Sequence, residues 1–216
     1  MAETQTTTVS IEDVISLVVP PAAGGYLKLV CDESERYFQP LGGRWGGLPG
    51  QRDGVDNFVA AHPSDAYFSP CSWARPVTPS PMMSCSVLWC SKTLGLAGQR
   101  QSEPRSRLLD GEAERAIESF TRSPSHGWPP TVIIDEGARV SAVWKLEHAI
   151  TEGHLRAAVQ ALAVAYGGDR AQADPSEALL AIPGSRATTV YPSVIVRIVA
   201  FEPPRAYPIN LDKLIS

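Results

Sequence analysis

The sequence lacks three features that mark particular classes of protein. It has no run approaching the roughly 20 apolar residues of a membrane-spanning helix, and its first residues form no apolar signal core. Its four cysteines include no CxxC pair, and only four histidines are present to complete a zinc site. We therefore expect a cytoplasmic protein with free thiols and no membrane contact.

An excess of positive charge is also missing. Lysine and arginine number 19 against 23 acidic residues, which gives a formal net charge of −4. A general basic surface for nucleic acid is thereby excluded, so any contact with phosphates has to be local. In contrast, 44% of the 216 residues are hydrophobic, which is enough to bury a sizeable core without disulfides.

Hydrophobic periodicity predicts an α+β protein, with residues 1–10 as a disordered tail and 11–216 as a single domain. The segment Ile11–Val19 is a short helix entered through Ser10, and the helix 151–166 has the clearest apolar face. We interpret the glycine-rich stretch 41–52 as a flexible connector, because it lacks the GK[ST] ending of a phosphate-binding loop. The remaining predicted elements are strands at 26–30, 65–69, 84–90, 131–134, 140–146 and 190–201, helical turns at 56–61 and 173–185, and a helix at 111–121.

Four stretches, taken in order, resemble one family, the archaeo-eukaryotic primases. The similarity is to the primase–polymerase domains of plasmid, phage and mobile-element replication proteins. These stretches are SDAYFSPCSW (64–73), VLWCSKTLG (87–95), VIIDEGARVSAVWKL (132–146) and GGDRAQADPSEALLAIPGS (167–185), and the ending PRAYPINLDKLI (204–215) adds to them. The resemblance implies a sheet like that of an RNA-recognition domain with helices packed on it, plus an N-terminal α/β part.

The same resemblance implies metal-dependent nucleotidyl transfer, in which hard carboxylate ligands hold Mg²⁺ or Mn²⁺. This sequence departs from that pattern at the positions that matter most. Ser91 and Thr93 stand where the resemblance implies an Asp-x-Asp pair, and Ser141 stands where it implies a histidine. Arg139 occupies an expected glycine position, and Asp174 is the acid retained from the third motif.

These departures define the candidate site. We predict that Ser91, Thr93, Ser141 and Asp174 form a degenerate catalytic site, with Asp174 its one retained catalytic acid. A weak cation site would use Asp135, Glu136 and Asp174, although an Asp-Glu-Gly sequence is also common turn chemistry. The candidate contacts to nucleotides or nucleic acid are Lys92, Arg139 and Arg186.

The leading function is therefore a noncatalytic primase-like domain in a plasmid or phage replication system. It would bind single-stranded DNA, nucleotides or a replication partner such as a helicase, and we expect no cofactor. The first alternative is a divergent primase or DNA polymerase that uses Mg²⁺ or Mn²⁺. The second is a protein-interaction module on a lapsed primase scaffold, which the negative net charge favours over strong nonspecific DNA binding.

Overall fold

A computed structural model describes residues 10–31, 34–47, 54–76, 81–94, 107–122, 128–188 and 193–208. The predicted tail up to residue 9 and residues 95–106 lie outside these ranges, as do the first residues of the predicted strand 190–201. The described helices are α1 (Ile11–Val18), α2 (Val55–Ala61), α3 (Arg107–Thr121) and α4 (Glu152–Tyr166), with 3₁₀ turns at Pro21–Ala23 and Arg170–Ala173.

The described strands build three antiparallel sheets. The first has the order β3-β2-β1-β4-β9, the second has the order β12-β7-β8-β6-β5, and β10 and β11 form a short pair. The strands are β1 (Leu27–Cys31), β2 (Ser34–Leu41), β3 (Arg44–Gly47), β4 (Ala66–Phe68), β5 (Ser72–Trp73), β6 (Met82–Thr93), β7 (Val132–Asp135), β8 (Arg139–Ile150), β9 (Leu180–Ala181), β10 (Arg186–Ala187), β11 (Val194–Ile195) and β12 (Arg197–Phe201).

The helix α1 begins with a reciprocal cap. The Asp13 amide donates to the Ser10 hydroxyl, and the Ser10 amide donates to the Asp13 carboxylate, each at 3.0 Å. Two of the amides left unpaired at a helix start are thereby satisfied. The apolar face that follows, including Val14, Ile15 and Val18, is fully buried in the core.

The glycine-rich stretch 41–52 was wrongly predicted to be a connector. Its first half completes the hairpin of β2 and β3, with Gly42 and Gly43 at positive φ in the turn. Trp45 is 2% exposed, and its indole N–H donates to the Val19 carbonyl at 2.8 Å. This long-range packing, which local composition does not reveal, makes the segment a strand. Residues 48–52 lie outside the described part of the chain.

The second sheet carries the candidate site, and α3 and α4 cover one of its faces. Trp144 of β8 lies against Phe120 of α3 and Tyr166 of α4, with ring centroids 6.1 and 5.1 Å apart. Because successive residues of a strand point to opposite faces, Ser141 and Val143 point away from these helices. Each residue of β7 is fully buried or nearly so, which fits a sheet that is covered on both faces.

Two predicted elements near the C-terminus differ in detail. The stretch 173–185, expected to be a helical turn leading into a loop, contains the end of a 3₁₀ turn and the two-residue strand β9. The described part of the predicted strand 190–201 is divided into β11 and β12. Both short strands are defined by partners far along the chain, since β9 pairs with β4 and β12 pairs with β7.

The thiols of all four cysteines are free, as the sequence predicts, and all four are buried. No helix in the described ranges is long and apolar enough to cross a bilayer.

Candidate functional site

Two serines from neighbouring strands form the centre of the site. Ser91 and Ser141 are register partners in the ladder of β6 and β8, so their side chains share a face. Their hydroxyl oxygens lie 2.8 Å apart, and both residues are buried. Ser141 also donates to Oε1 of Glu136 at 2.6 Å. A continuous hydrogen-bonded chain therefore runs from the end of β6 to a carboxylate in the β7–β8 turn.

Glu136 is a buried carboxylate with several partners. It is 4% exposed and interacts with the Ser141 hydroxyl, the Arg139 guanidinium and the backbone amide of Ala181. Burial raises the pKa of Glu136 above its usual value, and the charge of Arg139 opposes that effect without cancelling it. The carboxylate is held by protein groups on the sheet side and on the β9 side.

Arg139 links the second sheet to segments that follow α4. Its Nε donates to Glu136, one terminal nitrogen donates to Oε1 of Gln172 at 3.0 Å, and the other donates to the Leu179 carbonyl at 2.6 Å. Its guanidinium also lies 6.0 Å from the centre of the Tyr67 ring in β4. A guanidinium offers five N–H donors in a fixed fork, and here they are directed at groups of the protein itself.

Beside this arginine is a cleft of about 380 Å³, within the usual range for small-molecule sites. It lies between residues of the first sheet, the second sheet and the segment 172–179. The lining residues are Tyr67, Thr93, Glu136, Ala138, Arg139, Gln172, Glu177 and Leu179.

One acid at this site, Asp169, is not among the residues predicted from the sequence. Thr93 donates to Oδ2 of Asp169 at 3.1 Å, and the amide of Asp169 donates to the Ser91 carbonyl at 2.7 Å. The predicted third-motif acid was Asp174, but Asp169 is the acid that contacts the end of β6. Its position directly after Gly167-Gly168, where α4 ends, is a signal that the sequence did offer.

The other predicted acids are held elsewhere. Asp174 pairs with Arg156 of α4 at 2.7 Å and accepts hydrogen bonds from the amide and hydroxyl of Ser176. These Ser176 bonds are the main reason that its pKa is lowered. Asp135 is the register partner of Val140, which places it on the opposite face from Ser141, and it pairs with Arg197 at 2.5 Å. The predicted cation trio is therefore not brought together.

Two of the predicted cationic contacts also lie away from the cleft. Lys92 points to the helix-covered face, where its ammonium lies 5.0 Å from the Phe120 ring centre and donates to Ser119 at 2.6 Å. Burial lowers its pKa. Arg186 is exposed on β10 and donates to Ser193 at 3.1 Å. Of the three predicted cations, Arg139 is the one that lines the cleft.

The described acidic side chains near the site are not arranged to bind a divalent metal. Within the described ranges, no group of three or more His, Cys, Asp or Glu side chains is placed to hold an ion. The three acids predicted as weak ligands are each paired with an arginine: Glu136 with Arg139, Asp135 with Arg197 and Asp174 with Arg156. The described residues therefore do not fit the carboxylate site that magnesium prefers.

The architecture nevertheless defines a class. A helix-covered antiparallel sheet, joined to an N-terminal unit with its own sheet and helices, is the α+β arrangement expected of a primase–polymerase domain. Solved structures share this fold. The primase–polymerase AEP domain of cyanophage S-2L superposes with a TM-score of 0.52 at 11% identity, covering 94% of this chain and 95% of that one.

Primase RepB′ also superposes with a TM-score of 0.52, at 13% identity, covering 95% of this chain and 61% of that one. The catalytic domain of primase RepB′ in complex with initiator DNA superposes at 0.50, again at 13% identity, with 95% and 91% of the two chains covered. No protein-family model matches the chain, and no curated protein matches it in sequence. The chain thus shares the α+β fold of these primase domains, which confirms the predicted fold class.

Proposed function

We propose that this chain is a catalytically degenerate primase–polymerase-like domain of a plasmid or phage replication system. It binds nucleic acid or a replication partner and does not join nucleotides. The fold supports the replication context, since its structural neighbours are a phage primase–polymerase domain and the primase RepB′. One of these neighbours is in complex with initiator DNA.

The observation that carries the proposal is the hydrogen-bonded chain of Ser91, Ser141 and Glu136, which ends on Arg139. Joining nucleotides requires metal ions that draw the attacking hydroxyl and the phosphate together and absorb negative charge. Neutral hydroxyls at the end of β6 cannot supply the charge of two carboxylates. The buried carboxylate nearby is already neutralised by an internal guanidinium.

An incorporation assay tests the loss of catalysis. The purified chain is incubated with a single-stranded template and labelled nucleotides, with and without a primer, in Mg²⁺ and separately in Mn²⁺. We expect no metal-dependent product above that of a heat-inactivated sample. Template-directed product in either metal that is assigned to this chain itself would overturn the proposal.

The alternative of a divergent active enzyme is favoured by one observation, the carboxylate of Asp169 beside Thr93 at the end of β6. If product appears, Asp169→Asn discriminates between this chain's own activity and a contaminating polymerase. Loss of product in Asp169→Asn, but not in the control Asp56→Asn on α2, would assign the reaction to this site. Equal activity in both variants would assign it to a contaminant.

A binding assay addresses the other half of the proposal. Binding of labelled single-stranded DNA is measured by fluorescence anisotropy over a salt series. Affinity that depends on phosphate contacts falls steeply as the salt concentration rises. Salt-dependent binding without incorporation supports nucleic-acid binding. No DNA binding, together with defined complex formation with the helicase of the same replicon, supports the interaction module instead. Failure of both would overturn the binding proposal.

A further inference from the structure

Two cysteines meet where the chain passes from the first sheet to the second. Cys71 lies between β4 and β5, and Cys85 lies near the start of β6. Ser72 and Ser84 are register partners in the β5–β6 ladder, and their hydroxyl oxygens are 3.0 Å apart. The ladder ends at this pair, and continuing its antiparallel register by one residue beyond β5 would oppose Cys71 to Cys85.

Side-chain contacts agree with this register. The Cys85 thiol donates to the carbonyl of Pro70, the residue before Cys71, at 3.2 Å. The two thiols also interact directly with each other. Residues opposed in an antiparallel ladder have Cα atoms about 4.5–5.5 Å apart, which lies inside the separation of about 4.4–6.8 Å that a disulfide requires.

We propose that Cys71 and Cys85 are a modification site, at which the native fold forms an intramolecular disulfide by exchange with a low-molecular-weight disulfide. One cysteine thiolate attacks a sulfur of the reagent, giving a mixed disulfide and one small thiolate. The second cysteine then attacks the cysteine sulfur of that mixed disulfide and displaces the second small thiolate. Two protein thiols are oxidised, two protons are transferred to the departing thiolates, and one reagent molecule is reduced to two thiols.

Burial makes this exchange slow without opposing it at equilibrium. Cys71 and Cys85 are 0% and 1% exposed, so the reagent reaches them only when β5 opens from β6. Burial also raises the pKa of the Cys71 thiol well above its usual value, which lowers its thiolate fraction and slows its reaction at neutral pH. The crosslink would fix β5, a strand of two residues, to the strand that carries Ser91.

The positions of methionine permit a direct test. The chain has three methionines, at positions 1, 82 and 83, so cyanogen bromide cuts between Cys71 and Cys85. The protein is equilibrated under anaerobic conditions in a buffer of reduced and oxidised glutathione, then quenched, alkylated, cleaved and run with and without reductant. We expect the two fragments to stay linked until reduction, at about ten times the level found for denatured chain in the same buffer.

Single variants identify the pair. We expect the link to persist in Cys31→Ala and Cys90→Ala and to be lost in Cys71→Ala and Cys85→Ala. A link that survives in Cys71→Ala or Cys85→Ala would overturn the proposal. The proposal would also be overturned if the native wild-type chain were no more crosslinked than the denatured chain. This comparison does not depend on whether any variant folds. Neither readout involves nucleotide chemistry, so the outcome is independent of the proposed function.

Discussion

The Glu136 carboxylate shows how much a single hydroxyl contributes in this core. Ser141 is hydrogen-bonded directly to Glu136 and to Ser91, whereas Ser91 is linked to the carboxylate only through Ser141. A buried charged group that loses a hydrogen-bond donor incurs the full cost of its lost solvation. The two serines are therefore unequal, although they are opposed in the same ladder.

This inequality gives the first prediction. Ser141→Ala should lower the free energy of unfolding by about 1–3 kcal/mol, because it leaves Glu136 short of a donor. Ser91→Ala, the matched control, should cost clearly less, since Ser141 keeps its bond to the carboxylate. Urea denaturation measures both. A Ser91 variant as unstable as the Ser141 variant would contradict this account of the hydrogen-bonded chain.

Gly168 provides the second prediction. A Cβ at this position would collide with the Cys90 thiol and would lie 3.0 Å from the Ser91 carbonyl oxygen, so the end of α4 could not stay close to β6. We expect Gly168→Ala to destabilise the protein by about 1–3 kcal/mol in urea denaturation.

Gly153 in the first turn of α4 is the natural control for that substitution, since a Cβ there meets no atom within 4 Å. Gly153→Ala should stabilise the protein by up to about 1 kcal/mol through helix propensity. If both variants lost stability equally, close packing at Gly168 would not be the cause.

At the scale of secondary-structure elements, the reciprocal cap of α1 is the feature most open to test. Ser10→Ala removes the hydroxyl that accepts the Asp13 amide and should cost about 1 kcal/mol in urea denaturation. Ser16→Ala, within the same helix, replaces serine with a better helix former and should be neutral or stabilising. Equal losses in the two variants would contradict the capping role.

Elements with a strong local signal were predictable. The helix α4 has a continuous apolar stripe, and the β7–β8 hairpin has a glycine at its turn, where Gly137 adopts φ 84°. In such segments hydrophobic period and turn chemistry suffice, because the backbone conformation is decided by neighbours in sequence.

Elements and site residues defined by distant partners were not predictable in the same way. The sequence of β3 is typical of a flexible glycine-rich loop, but in the structure Trp45 is buried and its indole donates to the Val19 carbonyl. Asp135 and Glu136 are adjacent in sequence, yet strand alternation sends them to different partners, Arg197 and Arg139. Single-sequence patterns do not contain these pairings, which arise only when the sheets are assembled.

At the scale of the whole molecule, buried thiol and phenol groups make the stability of the fold decrease at alkaline pH. Burial raises the pKa of Cys90 from 9.0 to about 12, and it raises that of Tyr166 from 10.0 to about 12. In the unfolded chain both groups ionise near their usual values. Above pH 9 the unfolded state therefore binds fewer protons than the folded state, and stability has to fall as pH rises.

We accordingly expect the free energy of unfolding to decrease between pH 9 and about 12, by about 1.4 kcal/mol per pH unit for each proton that the folded state retains. Cys90→Ala should reduce the slope of unfolding free energy against pH by up to the contribution of one retained proton. This holds even if the substitution changes the overall stability. Urea denaturation at a series of pH values measures this slope. An unchanged slope in Cys90→Ala would show that this thiol does not contribute.

The short strand β9 also has a consequence for how the chain acquires its shape. Phe68 of β4 pairs with Leu180 of β9, so the first sheet is completed only after a segment much later in the chain is available. Until that segment has been synthesised, β4 has an unpaired edge. An unpaired strand edge can form backbone hydrogen bonds with strands of other chains. Folding during synthesis would then depend on shielding that edge, and a product shortened before residue 180 should aggregate.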